Sequence, residues 1–228
     1  LFRSLRAYPY REAVGSLLFL SNRTRPDITA AVGAVARRVA DPTPSLWNDI
    51  KRIFRYIKGS ANHYLVLKAP SDRYPILEGF SDSDWAGDVR DRKSISGYLI
   101  RVSGMTFSWK STKQTATALS TAEAEYIALA EAVREVVWLR RVLFQLGYPQ
   151  RSPTPIYEDN QSCIAWAVGN GSTKRSKHID LKYHFSKEMV EQGEVEVKYC
   201  PTDKMLTDIL TKPLGGTKFQ KLRNSIGV

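Results

Sequence analysis

The 228-residue sequence has little cysteine and no long apolar run. Its two cysteines, Cys163 and Cys200, exclude a disulfide framework, and their apolar neighbours predict buried free thiols in a reducing compartment. No apolar stretch reaches the about 18 residues that indicate a membrane span. Residues 1–20 predict no cleavable secretory signal, because charged side chains interrupt them at Arg3, Arg6, Arg11 and Glu12. We therefore expect an intracellular protein that is not secreted and has no membrane segment.

Acidic residues are also fewer than basic ones. The chain has 34 Lys and Arg against 23 Asp and Glu, a formal net charge of +11. Residues 1–60 contain 11 of the basic and 4 of the acidic residues, whereas the remainder contains 23 and 19. This distribution fits a chain that grips a polyanion with one part and cleaves it with another. It fits a soluble protein with a basic surface equally well, so charge alone does not decide the function.

The first quarter of the chain has the periodicity of amphipathic helices. Residues 10–22, 28–39 and 43–58 each show helical apolar spacing, separated by proline-containing breaks, which predicts a three-helix bundle. The third helix has an apolar stripe on one side. Its other side is basic, and such a face is suited to sequence-independent, salt-sensitive contact with phosphates. The basic residues are Lys51, Arg52, Arg55 and Lys58.

From residue 76 the pattern changes to strands and longer helices. Three strands, a helix over about 120–146, a strand, two helices, a strand and a helix predict an α/β fold with a mixed five-stranded sheet flanked by helices. Ser103 and Gly104 predict a tight turn between the second and third strands. We expect the bundle in 1–62, a linker or short strand in 63–75, the α/β domain in 76–214 and a C-terminal tail in 215–228.

Four carboxylates, each in a different predicted element, are the candidates for chemistry. An acid at the end of a buried strand is costly unless a cation meets it. The sequence shows no matching buried Lys or Arg, so we predict a divalent-metal site and phosphodiester chemistry. The four are Asp82 in the first strand, Glu125 in the long helix, Asp159 at the end of the fourth strand and Asp208 in a short C-terminal helix.

Each of these acids has a competing interpretation. Helical spacing favours Glu125 over Glu123, because Glu125 starts an unbroken apolar stripe whereas the stripe from Glu123 meets arginines; Glu123 is interpreted as a capping or solvated acid. Strand alternation leaves both Asp82 and Asp84 open. Asp159 could equally cap the helix that follows it, and Asp208 alone is typical of a solvated helix acid.

Recognisable motifs extend over nearly the whole chain. The sequences FSDSDWAGD at 80–88, ALSTAEAEY at 118–126, IYEDNQS at 156–162 and TDILTKPL at 207–214 resemble motifs of the RNase H domain of copia-type LTR retrotransposons, which follows a reverse-transcriptase segment. Segments 10–17, 24–27 and 53–59 are similar to the thumb and connection of the reverse transcriptase. The resemblance implies an RNase H-like sheet in 76–214, preceded by a thumb-like helical domain in 1–62.

The same resemblance implies an activity and a site. The chain would be a metal-dependent endoribonuclease that cuts the RNA strand of RNA–DNA hybrids by two-metal-ion catalysis, with Mg²⁺ as cofactor and Mn²⁺ as a substitute. Its catalytic and metal-ligating residues would be Asp82, Glu125, Asp159 and Asp208. The expected partners are the hybrid and the polymerase domain of the same polyprotein, in cytoplasmic virus-like particles and in the nucleus.

Hybrid binding is expected to use shape and phosphate contacts rather than base reading. The predicted substrate contacts are Ser120, Asn160 and Gln161 near the acids, Lys174, Arg175, Lys177 and Lys182 in a basic stretch, and the four basic residues of the third helix. Residues 201–205, after the last strand, lack the mobile histidine that often follows that strand in cellular RNase H enzymes. The alternative function is a non-catalytic fragment that only clamps the hybrid.

Overall fold

The structure is a computed structural model that describes residues 8–67, 74–88, 90–169 and 177–228, with the backbone alone for 177–183. It divides into two compact units. The first consists of Leu1–Val66 with Pro213–Val228, and the second of Leu67–Lys212. Within the described residues, no helix combines the length and the apolar character that crossing a bilayer requires.

The first unit contains the three helices that the periodicity predicts. They are α1 (Tyr10–Arg23), α2 (Thr29–Ala36) and α3 (Pro44–Gly59), with a 3₁₀ turn between α1 and α2. One residue from each helix, Leu17, Val32 and Ile50, is fully buried in their shared core. This packing leaves the basic side of α3 exposed, at Lys51, Arg52, Arg55 and Lys58.

A buried ion pair lies within this bundle. Arg25 donates two hydrogen bonds to Asp27, at 2.9 Å from Nε to Oδ1 and 2.8 Å from Nη2 to Oδ2. The hydroxyl of Tyr56 donates to Asp27 Oδ2 at 2.7 Å, and Arg25 Nη2 also donates to Ser60 Oγ at 2.8 Å. Each charge is therefore met by an opposite charge and by further polar groups, as burial requires.

The segment 215–228, expected as a tail, belongs to this first unit. It forms α8 (Gly216–Ser225), whose Leu222 is buried, and the Phe219 ring meets that of Tyr56 edge-on with centroids 5.7 Å apart. Ile226, one residue past the helix, is buried as well. Phe219, Leu222 and Ile226 are spaced by three and four residues, so an amphipathic helix was readable in the sequence.

The second unit contains the predicted mixed five-stranded sheet, which is confirmed. Its strands lie in the order β3-β2-β1-β4-β5. The pairs β1–β2 and β2–β3 are antiparallel, whereas β1–β4 and β4–β5 are parallel. The predicted tight turn is also confirmed, because Ser103 and Gly104 both have positive φ angles, of 50° and 79°. The strands are β1 (Leu77–Asp84), β2 (Ile95–Val102), β3 (Met105–Lys113), β4 (Thr154–Glu158) and β5 (Val195–Tyr199).

Helices cover both faces of this sheet. The long α4 (Thr121–Gln145) packs on the face of Gly79, where an added Cβ would lie 3.5 Å from Val136. The short α7 (Asp208–Thr211) lies on the opposite face, over Gly97, where an added Cβ would lie only 2.6 Å from Thr211 Cγ2. Gly97 therefore permits a close approach of α7 that any side chain would obstruct. The other helices are α5 (Gln161–Ala167) and α6 (Lys177–Glu191).

The two cysteines of the second unit are buried and free, as predicted. Cys163 contributes to the apolar core beneath α4. Burial raises the pKa of its thiol, so this cysteine behaves as a small apolar side chain.

Candidate metal centre

Three of the predicted acids come together at one end of the sheet. One carboxylate oxygen from each of Asp82, Glu125 and Asp159 lies within 4.8 Å of the other two. Asp82 lies near the end of β1 and Asp159 directly follows β4, and because these strands are parallel neighbours, both acids reach the same edge. Glu125 comes from the first turns of α4. Among the described residues, this is the group of acids whose ligand atoms lie close enough together to hold a metal ion.

Glu125 is directed into this cluster by the start of its helix. The Ser120 hydroxyl accepts a hydrogen bond from Glu123 N at 3.2 Å, and Glu123 Oε2 accepts one from Leu119 N at 2.8 Å. Glu123 therefore caps α4, as one of its two interpretations predicted, although it is buried rather than solvated. With the helix start fixed, Glu125 faces the sheet.

The charge of Glu125 is poorly compensated. Its side chain is buried, and among the described residues none forms a hydrogen bond with Oε2. Burial, followed by repulsion from Glu158, Asp82 and Asp159, raises the pKa of Glu125 to about 10. An unpartnered buried carboxylate oxygen beside two further acids fits a hard divalent cation with oxygen ligands. Asp82, Glu125 and Asp159 are the residues that would hold it.

Asp82 is fully buried and held on both of its oxygens. Thr211 Oγ1 donates a hydrogen bond to Oδ2, and Lys212 Nζ lies 2.7 Å from Oδ1. Burial raises the pKa of Asp82, while the positive charge of Lys212 opposes the increase. Both partners come from α7 and the residue after it, on the face of the sheet that Asp82 shares with its cross-strand neighbour Gly97.

Asp208 lies outside the three-acid cluster but is linked to it. It is fully buried, so the interpretation as a solvated helix acid is wrong. Lys212 Nζ lies 2.7 Å from Asp208 Oδ1 as well as from Asp82 Oδ1. Burial lowers the pKa of Lys212, but Asp82 and Asp208 outweigh burial and raise it above its ordinary value.

Lys212 therefore corrects one sequence-based expectation. The four acids were expected to have no matching Lys or Arg, yet this lysine contacts two of them. Its place four residues after Asp208 is the spacing at which side chains meet along a helix, and this spacing was the available signal.

Glu158 is a fifth acid in this region that the sequence-based reasoning missed. It is fully buried; Ser81 Oγ donates to its Oε2 at 2.7 Å and Asn160 N to its Oε1 at 3.2 Å. Burial raises the pKa of Glu158 well above its usual range, against the effect of these hydrogen bonds. Strand alternation could have found it, because Glu158 shares the buried face of β4 with Ile156.

The remaining alternatives for the acids are resolved by local contacts. Asn160, rather than Asp159, caps α5, because its Oδ1 accepts from Cys163 N at 3.0 Å. Asp159 Oδ2 instead accepts from Thr202 Oγ1 at 2.8 Å. Thr202 lies in the loop after β5 that was noted for its lack of histidine, so this loop positions an acid. Asp84 is half-buried and outside the cluster.

No protein-family model matches the chain. Over 220 residues, or 96% of its length, it is 41% identical to the retrovirus-related Pol polyprotein from transposon TNT 1-94 of Nicotiana tabacum. It is 37% identical over 219 residues to the corresponding polyprotein from transposon RE2 of Arabidopsis thaliana. The chain belongs to the retrovirus-related Pol polyproteins of transposons. It spans only 16% and 15% of these two relatives, so it corresponds to a small segment of each.

Two further similarities concern shorter stretches of this Pol segment. Over 135 residues it is 44% identical to secreted RxLR effector protein 161 of Plasmopara viticola, covering 59% of this chain and 94% of that protein. The crystal structure of LC11-RNase H1 in complex with RNA/DNA hybrid aligns with a TM-score of 0.46 at 15% identity, covering 59% of this chain and 93% of that one.

The predicted substrate contacts of this Pol segment have different environments. Ser120 and Asn160 cap helices next to the acids, and Gln161 is exposed beside Asn160. Lys174 and Arg175 lie outside the described residues. Lys177 and Lys182 fall in α6, where the backbone alone is described. The basic residues of α3 belong to the first unit and are exposed there.

Proposed function

We propose that the second unit is a ribonuclease H that hydrolyses the RNA strand of RNA–DNA hybrids with the help of divalent metal ions. The observation that carries this proposal is the group of carboxylate oxygens from Asp82, Glu125 and Asp159, of which Glu125 Oε2 has no hydrogen-bond partner among the described residues. Membership of the Pol polyprotein family supports it, since the expected site residues and the observed acid cluster share these three positions.

The metal would be Mg²⁺, for which Mn²⁺ could substitute, because the cluster offers only oxygen ligands. Asp82, Glu125 and Asp159 would hold one ion, and Asp82 with Asp208 a second. When bound, such ions activate water and neutralise charge on a phosphate. The Mg²⁺ requirement and the use of two ions are parts of this proposal.

The chain's own residues would prepare the acids for this task. Thr211 holds one oxygen of Asp82, Thr202 holds one of Asp159, and the capped start of α4 directs Glu125. Each acid therefore has a fixed orientation before any ligand arrives, which limits reorganisation during the reaction. Because burial raises the pKa of Glu125 and of Asp82, a cation would compete with protons there, and its binding would strengthen as pH rises.

Substrate binding would involve both units. Ser120, Asn160 and Gln161 lie close in sequence to the acids and are proposed to contact the hybrid near the cut. The exposed basic residues of α3 would add phosphate contacts that weaken as salt increases. The proposed partners are the hybrid itself and the polymerase domain of the same polyprotein.

The decisive experiment compares the full chain with Asp82→Asn on a hybrid whose RNA strand is labelled. We expect Mg²⁺-dependent cleavage by the wild type and a loss of at least about 10³-fold in the variant, since several kcal/mol of stabilisation depend on the metal. Asp41→Asn, which changes an exposed acid of the first unit, is the matched control and should retain the wild-type rate.

Binding of the same hybrid should be measured in parallel. A wild-type chain that binds the hybrid but leaves it intact at any Mg²⁺ or Mn²⁺ concentration would sink the nuclease proposal in favour of the non-catalytic clamp.

A further inference from the structure

Lys212 is placed where two buried acids need a cation. Its ammonium nitrogen lies 2.7 Å from Asp82 Oδ1 and 2.7 Å from Asp208 Oδ1, and both carboxylates have fully buried side chains. The lysine side chain itself is 30% exposed. It therefore bridges two acids of the proposed site and can still be approached from solvent.

The backbone holds Lys212 in this position. Lys212 directly follows α7, which lies close to β2 because Gly97 has no side chain. The preceding residue, Thr211, donates its own hydrogen bond to the other oxygen of Asp82. Two successive residues thus contact both oxygens of Asp82, and this arrangement depends on how closely α7 packs against β2.

The charges divide the acids into two groups. Asp82, Glu125 and Asp159 form the close group, in which Glu125 Oε2 has no partner among the described residues. Asp208 is not one of the three members, and Lys212 contacts both Asp208 and Asp82. A cation held by the first group would share one carboxylate, Asp82, with Lys212. A cation held by Asp82 and Asp208 together would share both of the carboxylates that the ammonium contacts.

We propose that Lys212 is a built-in counter-ion that occupies the Asp82–Asp208 side of the site in the metal-free protein and competes with a divalent cation there. The site accordingly loads in two stages. The first ion binds the three-acid group with Lys212 in place, and the second must displace the ammonium. The inference relies on the proposed function only for the choice of cation.

Competition between the ammonium of Lys212 and a divalent ion predicts two measurable effects, because coupling between two ligands of one site is reciprocal. Removing the ammonium should strengthen binding of the second divalent ion. It should also destabilise the metal-free protein, since Asp82 and Asp208 would remain buried without their cation. If the lysine had a purely structural role, its removal would destabilise the metal-free protein but would not strengthen binding of the second ion.

The test is Mn²⁺ binding to the full chain without nucleic acid, counted by electron paramagnetic resonance of the free ion and by calorimetry. For the wild type we expect one ion of higher affinity and a second of much lower affinity. Lys212→Met should tighten the second ion by at least about tenfold, within the about 5- to 150-fold range of ordinary coupling. It should also lower the melting temperature in the presence of a chelator.

Three variants are the controls. Lys212→Arg retains a cation and should keep the weak second ion. Lys198→Met removes a lysine that pairs with the exposed Glu196, and it should change neither the affinity for the second Mn²⁺ nor the melting temperature. Lys212→Met combined with Asp208→Asn removes the ammonium together with one of its acids, so it should recover part of the lost melting temperature. This double variant also provides a folded reference if the single variant unfolds without metal.

The outcomes separate this inference from the proposed function. A chain that cleaves hybrids while Lys212→Met has the same Mn²⁺ isotherm as the wild type would overturn the inference and leave the function standing. A chain that binds Mn²⁺ as described but never cleaves would do the reverse. A wild type that binds two ions with equal, high affinity, or none at all, would also overturn the inference.

Discussion

Each unit of the protein contains a buried cluster of charges, and the two clusters are built differently. In the first unit, Arg25 meets Asp27 through two hydrogen bonds, and Tyr56 and Ser60 complete the set. In the second, five buried or half-buried acids lie in one region, and Lys212 contacts two of them, Asp82 and Asp208. The Arg25–Asp27 pair, called the closed pair below, is fully compensated by its neighbours and can serve the stability of the fold alone. The acid-rich cluster of Asp82, Glu125, Glu158, Asp159 and Asp208 contains more carboxyl groups than the lysine can compensate, as a cation site does.

The strongest way to break this comparison is to remove one carboxylate from each cluster. Asp27→Asn should lower the free energy of unfolding by about 3–5 kcal/mol, because Arg25 would remain buried without its counter-charge. Glu125→Gln should stabilise the metal-free protein at neutral pH, since Gln resembles the neutral acid that a pKa of about 10 predicts and cannot ionise in the unfolded state. Urea denaturation with a chelator present measures both.

Tyr56→Phe is the control for the closed pair. It removes one hydrogen bond to Asp27 and should have an intermediate effect of about 1–3 kcal/mol. Equal losses for Asp27→Asn and Glu125→Gln would mean that the two clusters are compensated alike, and the contrast between them would be lost.

A smaller effect on stability is expected from replacing Gly97, the glycine that allows α7 to approach β2. Gly97→Ala would place a Cβ 2.6 Å from Thr211 Cγ2 and should destabilise the protein by about 1–3 kcal/mol through overpacking. It should also weaken the contacts of Lys212 with Asp82 and Asp208, and so tighten the second Mn²⁺. The matched change in the first unit is Gly15→Ala in α1, where nothing lies within 4 Å of the added carbon.

Gly15→Ala should stabilise the protein by about 0.5–1 kcal/mol through helix propensity alone. Melting temperatures and Mn²⁺ isotherms of the two glycine variants make the comparison. If Gly97→Ala proves as harmless as Gly15→Ala, then α7 is not held by close approach to β2.

The last expected effect is on the pH dependence of stability without metal. The pKa of Glu125 is raised from its ordinary value of 4.5 to about 10 in the folded protein. The folded state therefore binds more protons than the unfolded state between these values, and stability falls as pH rises through this window. Thermal melts with a chelator should show this decline, and Glu125→Gln should flatten it.

Saturating Mg²⁺ is expected to counteract the decline, because it binds the charged form of the acids. Wild-type melts that are independent of pH between 5 and 9 in chelator would mean that the buried acids of the second unit are compensated by the protein itself.

Much of the fold could be predicted from the local periodicity of apolar residues. The sheet, the tight turn at Ser103 and Gly104, and helices α1, α3 and α4 each depend on spacing within a few residues. The choice of Glu125 over Glu123 also followed from helical spacing. Asp208 was harder, because its burial depends on the close approach of α7 to Gly97, more than a hundred positions earlier in the chain.

The features that were missed had signals of a different kind. Lys212 was not expected beside the acids, because it follows a short helix and contacts Asp82 on a strand far away in the sequence. Glu158 was passed over beside Asp159, although alternation placed it on the buried face of β4. The apolar spacing of α8 was present, but its packing partners lie at the far end of the chain.

The position of α8 also has a consequence for the order in which parts of the chain can fold during synthesis. Its buried Leu222 and the neighbouring Ile226 belong to the same unit as α1–α3, although all of Leu67–Lys212 is translated between them. Domains generally fold as units, the N-terminal one first, while the chain emerges from the ribosome. The shared core of α1–α3 is available before the sheet domain is made, whereas α8 can pack against Tyr56 only afterwards.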